Sequence, residues 1–345
     1  MKWRFEWVKK YLQPKGSRAL MVFGCQLALL FVIAFIVYTS GGTKNARPHL
    51  AYLPIILAAF SFGIPGGLVS GMVAGLVLGP WMPMDVELAI YQQQSSWLFR
   101  LFFFMTIGGV AGLLFEVLGN TIEQLVEAEA SMLRALSTTV SLRNKDTGNH
   151  SERVAYNALL VGKAMGLALA DLQGLYWAAI LHDLGKIATP EEILVKPGKL
   201  TPEEYSVIKQ HPQIGADLLR SISDDFEPVI QGVLAHHERW DGMGYPYGQQ
   251  GEEIHIFGRV LAVVDVFEAL TSKRPYRGPL LPEDAVNYIC ENRGSHFDPG
   301  IVDVFMDLYN QGKILIHGRP PDIEVAPPVS AKRVLLSGKR YIFTD

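Results

Sequence analysis

Seven side chains between residues 150 and 265 are of the types that build a metal centre: His150, the adjacent pair His182 and Asp183, His211, the adjacent pair His236 and His237, and Asp265. Singly, each has an ordinary explanation, because a histidine near a helix end is usually a cap or a core residue. Jointly that explanation weakens. Asp265 lies in the run Val260 to Phe267, apolar enough to be buried, and buried carboxylates or paired imidazoles cost several kcal/mol unless something offsets them. A cation does so. The donors are imidazole nitrogen and carboxylate oxygen with no thiolate, which suits iron, manganese or zinc in a catalytic site rather than a structural zinc knot. Neighbouring residues on a helix point about 100° apart, so His182 and Asp183 serve two ions side by side more readily than one, with Asp183 as the bridge.

The elements that must hold these donors read as helices. His150 opens a stretch with Val154, Leu159, Leu160 and Ala164 at helical spacing. His182 ends the run Trp177 to Leu181, stopped by Gly185, and His236 closes Val229 to Ala235. The region is therefore expected to be all-α. A dinucleotide-binding reading of Gly242-Met243-Gly244 fails, since no strand precedes it and Pro246 and Gly248 break the chain after it.

The rest of the 345 residues divides by charge. Residues 1–120 hold nine Lys/Arg and four Asp/Glu, and the remaining 225 hold 22 and 30, so a net charge of -3 conceals halves of +5 and -8. That balance excludes a basic nucleic-acid binder, and no DNA partner is expected. Two cysteines, Cys25 and Cys290, exclude a disulfide scaffold.

The first third reads as membrane. Residues 19–43 carry no Asp, Glu, Lys or Arg, and neither do residues 48–84, whereas a spanning helix needs only ~20 apolar residues. The second stretch must fold back, and Gly63-Ile64-Pro65-Gly66-Gly67 is the natural break. About four spans are expected, near 19–38, 50–62, 67–81 and 97–118. Six Lys/Arg precede the first span, which places the N-terminus, and after four spans the remainder of the chain, in the cytoplasm. Lys44 and Arg47 then face outward, against the usual bias. Gly63, Gly67, Gly71, Gly75 and Gly79 recur every four residues and predict close helix packing. Ile122, Val126, Leu133, Leu136 and Val140 approach coiled-coil spacing, predicting either a dimer seam or a helix docked on the next domain.

With these residues in view, the chain between about 130 and 312 resembles the HD-GYP family of metal-dependent phosphodiesterases acting on cyclic di-GMP. The resemblance rests on Thr147-Gly148-Asn149-His150, Leu181-His182-Asp183-Leu184-Gly185-Lys186-Ile187, Lys196-Pro197-Gly198-Lys199-Leu200, His211-Pro212, His236 through Pro246, Asp265 through Ser272, Arg274-Pro275-Tyr276-Arg277 and His296-Phe297-Asp298-Pro299, in that order. It implies an HD-type helical bundle with two divalent ions, iron or manganese, held by His150, His182, Asp183, His211, His236, His237 and Asp265. Asp146 stands where some members hold a third ion with a Glu. It further implies that Lys186 contacts substrate phosphate, that Arg274 and Arg277 grip the phosphates, and that Gly244, Tyr245 and Pro246 form the signature loop beside the pocket. His255 and Gly258 depart from the family's usual proline and alanine.

The expected organisation is a basic N-terminus (1–18), a transmembrane sensor (19–118), a signalling helix (119–140) that pairs two copies, a catalytic domain (141–312) and a proline-rich tail (313–345) containing a small hairpin. The expected protein sits in the cytoplasmic (inner) membrane, with the lipid bilayer and cyclic di-GMP as partners. It opens cyclic di-GMP to pGpG and, by the family's pattern, continues to GMP. Two alternatives share the same residues: a catalytically silent receptor for metal and nucleotide, and a hydrolase of another cyclic dinucleotide such as cyclic GMP-AMP.

Overall fold

The computed structural model describes residues 17–143, 149–222, 224–272 and 278–321. They divide into two compact units, the first ending at Leu125 and the second beginning at Val126. Asp146, Arg274, Arg277 and the tail hairpin lie outside the described residues.

The first unit contains α1 (Ser17–Thr39), α2 (Tyr52–Val77), a short antiparallel pair β1 (Pro83–Asp85) and β2 (Ile90–Tyr91), and the first part of α3 (Gln94–Arg143). Three helical stretches are long and apolar enough to cross a membrane by length and composition, Ala19–Thr39, Arg47–Val77 and Gln94–Arg143. That is three among the described residues, where about four were expected, because α2 is a single unbroken segment of two helical arms that reverses direction at a kink. Gly63 has φ 64° and ψ -150°, a conformation open to glycine alone. Ring contacts of Tyr52 with Phe103 and of Phe60 with Phe115 ascend along α3. Beyond the break the order inverts, as a Cβ on Gly67, Gly71 or Gly75 would strike Gly108, Phe104 or Leu101 respectively. The glycine ridge therefore packs backbone against backbone, as its spacing predicted. At the turn itself Ile64 donates its backbone N–H to Glu116 Oε1 at 2.9 Å, satisfying a donor that the break releases. At the other end Lys44 pairs with Asp85 at 2.8 Å, so its charge is cancelled locally and no longer opposes the expected orientation.

The second unit is a helical bundle. The end of α3 is followed by α4 (His150–Ala164), α5 (Leu169–Leu181), α6 (Glu191–Leu194), α7 (Pro202–Ile208), α8 (His211–Ile222), α9 (Glu227–Ala235), α10 (Ile256–Thr271), α11 (Pro282–Glu291) and α12 (Pro299–Asn310). Residues 174–181 of α5 are all buried, which makes it the central helix, since a helix apolar on every side belongs inside. Around it Trp177, Phe226, Phe257, Phe267, Phe297 and Phe305 are fully enclosed. Local signals set the helix starts: Thr201 and Glu204 form a reciprocal capping box on α7, and Asp298 accepts from Gly300 N at the head of α12. The unusual His255 caps α10, its Nδ1 accepting from Phe257 N at 3.3 Å. Gly258 has a reason too, because a Cβ there would lie 2.5 Å from that of Ala235. The first residues of the expected tail pack back on the domain: Asn157, wholly buried, holds both the N–H and the carbonyl of Leu315.

The expected boundary at 118/119 does not interrupt α3, and its stripe is used within the chain. Ala130, Leu133 and Val140 are buried in the core of the second unit. Ser137 donates to Ile180 O at 2.6 Å, and Arg143 donates to Ile187 O at 2.6 Å and to Thr189 O. Of the two readings of that stripe, a docked helix is the one observed; Leu136 is exposed.

Candidate metal centre

Three of the histidines lie at or just beyond a helix C-terminus, His182 and His236 capping α5 and α9 and His211 opening α8 three residues after the end of α7, where the last carbonyls have no partner inside the helix. Each turns its Nδ1 back to the carbonyl three residues earlier. His182 reaches Ala179 O at 2.7 Å, His211 reaches Ile208 O at 2.8 Å and His236 reaches Val233 O at 2.6 Å. A carbonyl only accepts, so each Nδ1 carries the proton and each Nε2 is left with its lone pair pointing inward.

These lone pairs converge. His211 Nε2 and His236 Nε2 face each other at 3.1 Å, an arrangement that is repulsive for two bare nitrogens unless a cation lies between them. Burial, reinforced by the Lys186 cation, holds His211 down to about 4; burial, with the neighbouring His211 ring next, holds His237 down to about 3, and His236 is likewise well below the usual range. A proton therefore does not relieve the clash. His182 Nε2, Asp183 Oδ1 and Asp265 Oδ1 are out of solvent with no hydrogen-bond partner. Asp183 Oδ1 lies 3.5 Å from His211 Nε2, while its Oδ2 lies 3.5 Å from His182 Nε2. Donor atoms of His150, His182 and Asp183 fall within 4.8 Å of one another, and so do those of His211, His236 and His237. The chemistry of this donor set fits divalent cations, and Asp183 stands between the two groups as the expected bridge.

The carboxylates are held ionised. Burial opposes charge on Asp183, but Lys186 Nζ at 2.6 Å and the surrounding imidazoles outweigh it and keep it well below the usual carboxylate range. Lys186 is thus bonded to Asp183 here. His150 reads oppositely: burial disfavours its charge, yet Glu268 and Asp265 overcome this and push it up to about 10. Its Nε2 is 3.2 Å from Asp265 Oδ1, a position that favours positive charge, whether proton or metal.

Two residues escaped the sequence reading. Glu268 accepts from His150 Nδ1, from both guanidinium nitrogens of Arg153 and from Ser272 Oγ at 2.7 Å. It orients His150 as a carboxylate behind a ligating histidine does. Its place one helical turn beyond Asp265 on α10 is the available signal, a second acid on the same buried face. Glu238, almost fully enclosed, accepts from Tyr247 N at 2.7 Å and so fastens the loop after His237.

That loop contains Gly244, Tyr245 and Pro246. Gly244 allows the chain to pass close over Glu238 and Arg239, where a Cβ would lie 2.4 Å from Arg239 N. Tyr245 then stacks on His237 with centroids 4.7 Å apart, and Lys209 Nζ lies 5.3 Å from the Tyr245 ring. The structure gathers His150, His182, Asp183, Lys186, His211, His236, His237, Tyr245 and Asp265 in one place. Arg274, Arg277 and Asp146 are outside the described residues.

Similar proteins agree with this geometry. The chain is 41% identical over 54% of its length to the cyclic di-GMP phosphodiesterase response regulator RpfG of Xanthomonas campestris pv. campestris, covering 50% of that protein. It is 40% identical over 51% of its length to a cyclic di-GMP phosphodiesterase of Thermotoga maritima, covering 48% of it. It is also 35% identical over 61% of its length to the 3'3'-cGAMP-specific phosphodiesterase 2 of Vibrio cholerae, covering 40% of it. The chain thus spans half or less of the length of these relatives. Residues 134–301, which include every described donor from His150 to Asp265, match the family described as HD domain.

Proposed function

We propose that the chain is a membrane-anchored, metal-dependent phosphodiesterase that opens cyclic di-GMP to pGpG and continues to GMP. One observation carries the reading: the inward-facing lone pairs of His211 and His236 at 3.1 Å, beside the unpartnered His182 Nε2 and Asp183 Oδ1. Two divalent ions held there, iron or manganese, supply Lewis acidity toward a phosphodiester and its attacking water. His150, His182 and Asp265 hold one side, and His211, His236 and His237 the other. Lys186 balances the Asp183 charge at rest and is within reach of an anionic substrate oxygen. Tyr245, braced on His237, walls the pocket, and Arg274 and Arg277 bind the two phosphates through forked guanidinium contacts. A third ion at Asp146 belongs to the same proposal.

The test is turnover of the purified full chain, loaded with iron or manganese without air, against cyclic di-GMP and 3'3'-cyclic GMP-AMP in parallel. Conversion of cyclic di-GMP, abolished in Asp183→Ala, supports the reading; equal activity in that variant refutes it. Faster conversion of cyclic GMP-AMP selects the substrate named for the Vibrio cholerae relative.

The anchoring proposal uses parity. As separate helices the two arms of α2, residues 52–62 and 64–77, would be roughly 16 and 21 Å long against a hydrocarbon core of ~30 Å. Whether they span fully or partly, a hairpin returns the chain to the side it left. With α1 and α3 crossing once each, the N-terminus and the catalytic unit share the cytoplasmic face of the inner membrane.

Pairing of two copies uses a different stripe from the expected one. Leu118, Leu125 and Met132 recur every seven residues on α3, flanked by Ala128, Ala135 and Leu142, and all are exposed. That seven-residue repeat suits a second α3. Through the bonds of Ser137 and Arg143, such a helix pair acts on the turn that carries Asp183.

A further inference from the structure

The first unit contains a cavity of about 240 Å³. One wall is aromatic, with Phe99 and Phe103 stacked 6.0 Å apart at 11° and Tyr52 edge-on to Phe103. Arg100, Thr43 and His49 also line the cavity. Arg100 is half-buried and turns one guanidinium nitrogen inward to Leu78 O at 2.9 Å, and among the described residues no carboxylate forms an ion pair with it. Lys44, the nearby cation in sequence, is already paired with Asp85. Thr43 is 9% exposed, and its Oγ1 is out of solvent without a hydrogen-bond partner. A half-buried guanidinium without an ion-pair partner and a hydroxyl without a hydrogen-bond partner, lining one cavity with the partly exposed faces of Phe99 and Phe103, are complementary to an anion with a flat apolar body.

Size and charge narrow the class. Ligand cavities commonly run ~300–1,000 Å³, so this one, at about 240 Å³, suits a single ring. One unpaired cation matches a monoanion better than a phosphate dianion.

We propose that the cavity between Arg100, Thr43 and the Phe99–Phe103 pair binds a small aromatic monocarboxylate, making the first unit a receptor for such compounds. The carboxylate lies against the Arg100 guanidinium and the Thr43 hydroxyl, and the ring lies against the phenylalanine faces.

The test is calorimetry on the full chain in phosphatidylcholine nanodiscs, titrated with phenylacetate, benzoate, benzyl alcohol and inorganic phosphate. It needs no turnover, so it stands or falls separately from the hydrolase reading. Phenylacetate or benzoate is expected to bind, with the neutral alcohol at least ~10-fold weaker. Arg100→Gln should weaken carboxylate binding by ~10- to 100-fold and Thr43→Val by ~3- to 10-fold, the ranges for charged and neutral hydrogen bonds. Where Arg100→Gln is not monodisperse, Thr43→Val, which breaks no bond present in the structure, decides. No binding of either carboxylate, unchanged affinity in Thr43→Val, or tighter binding of phosphate than of carboxylate would each overturn the proposal. So would loss of binding when phosphatidylglycerol replaces phosphatidylcholine, which would identify a lipid headgroup as the occupant.

Discussion

His211 and His236 place their Nε2 atoms 3.1 Å apart while both Nδ1 atoms are committed to backbone carbonyls. Neither ring can rotate to relieve the contact without losing its carbonyl bond, so the pair is preorganised for a cation. His236→Gln should therefore lower metal content as measured by elemental analysis, with turnover falling in parallel. Removing a ligand is expected to cost more than the ~10- to 100-fold in metal affinity typical of a supporting residue. Full metal occupancy in the variant would show that the two rings are structural.

Among the described residues the Glu268 carboxylate hydrogen-bonds to His150 alone of the proposed ligands, and it ties Arg153, Ser272 and His150 together. Glu268→Gln keeps the shape and removes the charge. The expectation is a loss of ~10- to 100-fold in metal affinity, read by competition with a chelator. Destabilisation of roughly 3 kcal/mol should accompany it, because the buried Arg153 is left unpaired. Unchanged affinity would reduce Glu268 to a packing role.

Gly185 and Gly119 should respond oppositely to alanine. A Cβ at Gly185 would lie 1.9 Å from His211 O, whereas one at Gly119 in α3 meets nothing within 4 Å. Gly185→Ala should cost roughly 3 kcal/mol by overpacking, and Gly119→Ala should be neutral or gain up to about 1 kcal/mol from helix propensity. Thermal melts of the two variants against the parent compare them directly.

His296 provides the pH dependence. Burial first, and then Arg239, hold it down to about 4 from an ordinary value of 6.5. The unfolded chain binds this proton before the folded one does, so the contribution is present above pH 6.5 and is lost as pH falls toward about 4. Because the ring is partly exposed, the loss is discounted to roughly 1–2 kcal/mol. His296→Gln should flatten the stability curve across that window in chemical denaturation, and an unaltered curve would remove His296 from the account.

Cys290, exposed on α11, tests the parity argument. In intact spheroplasts an impermeant maleimide should leave it unlabelled, and permeabilising the inner membrane should expose it. Labelling before permeabilisation would place the catalytic unit outside and overturn its cytoplasmic assignment.

The candidate donor set was legible in the sequence because its chemistry is carried by residue type: singly each histidine or acid has an ordinary use, but seven of them in one helical region call for a cation, and the structure gathers them. The fold-back near Gly63 was legible for the same kind of reason, since a glycine and a proline inside an uncharged stretch leave few options. Other features were hidden because they depend on partners distant in the chain. Nothing in the spacing pairs Glu116 with the break at Gly63, and only the structure shows its carboxylate accepting from Ile64 N. Glu268 lay inside a recognised motif with no role, because its partners Arg153 and His150 sit more than a hundred residues earlier. The α3 stripe illustrates the limit of periodicity. Helical spacing shows that Leu133 and Val140 need cover, but not whether the cover comes from a second chain or, as found, from this chain's own core.

The turn from Leu184 to Ala188 is held by its own main chain, on carbonyls and at a glycine, rather than by its side chains. Arg143 at the end of α3 holds the carbonyls of Ile187 and Thr189, and on the opposite flank Gly185 leaves no room for even a methyl group against His211 O. A displacement of α3 at Arg143 would therefore reach Asp183 and His211 through the same turn, so the two halves of the donor cluster would loosen or tighten as one rather than in succession.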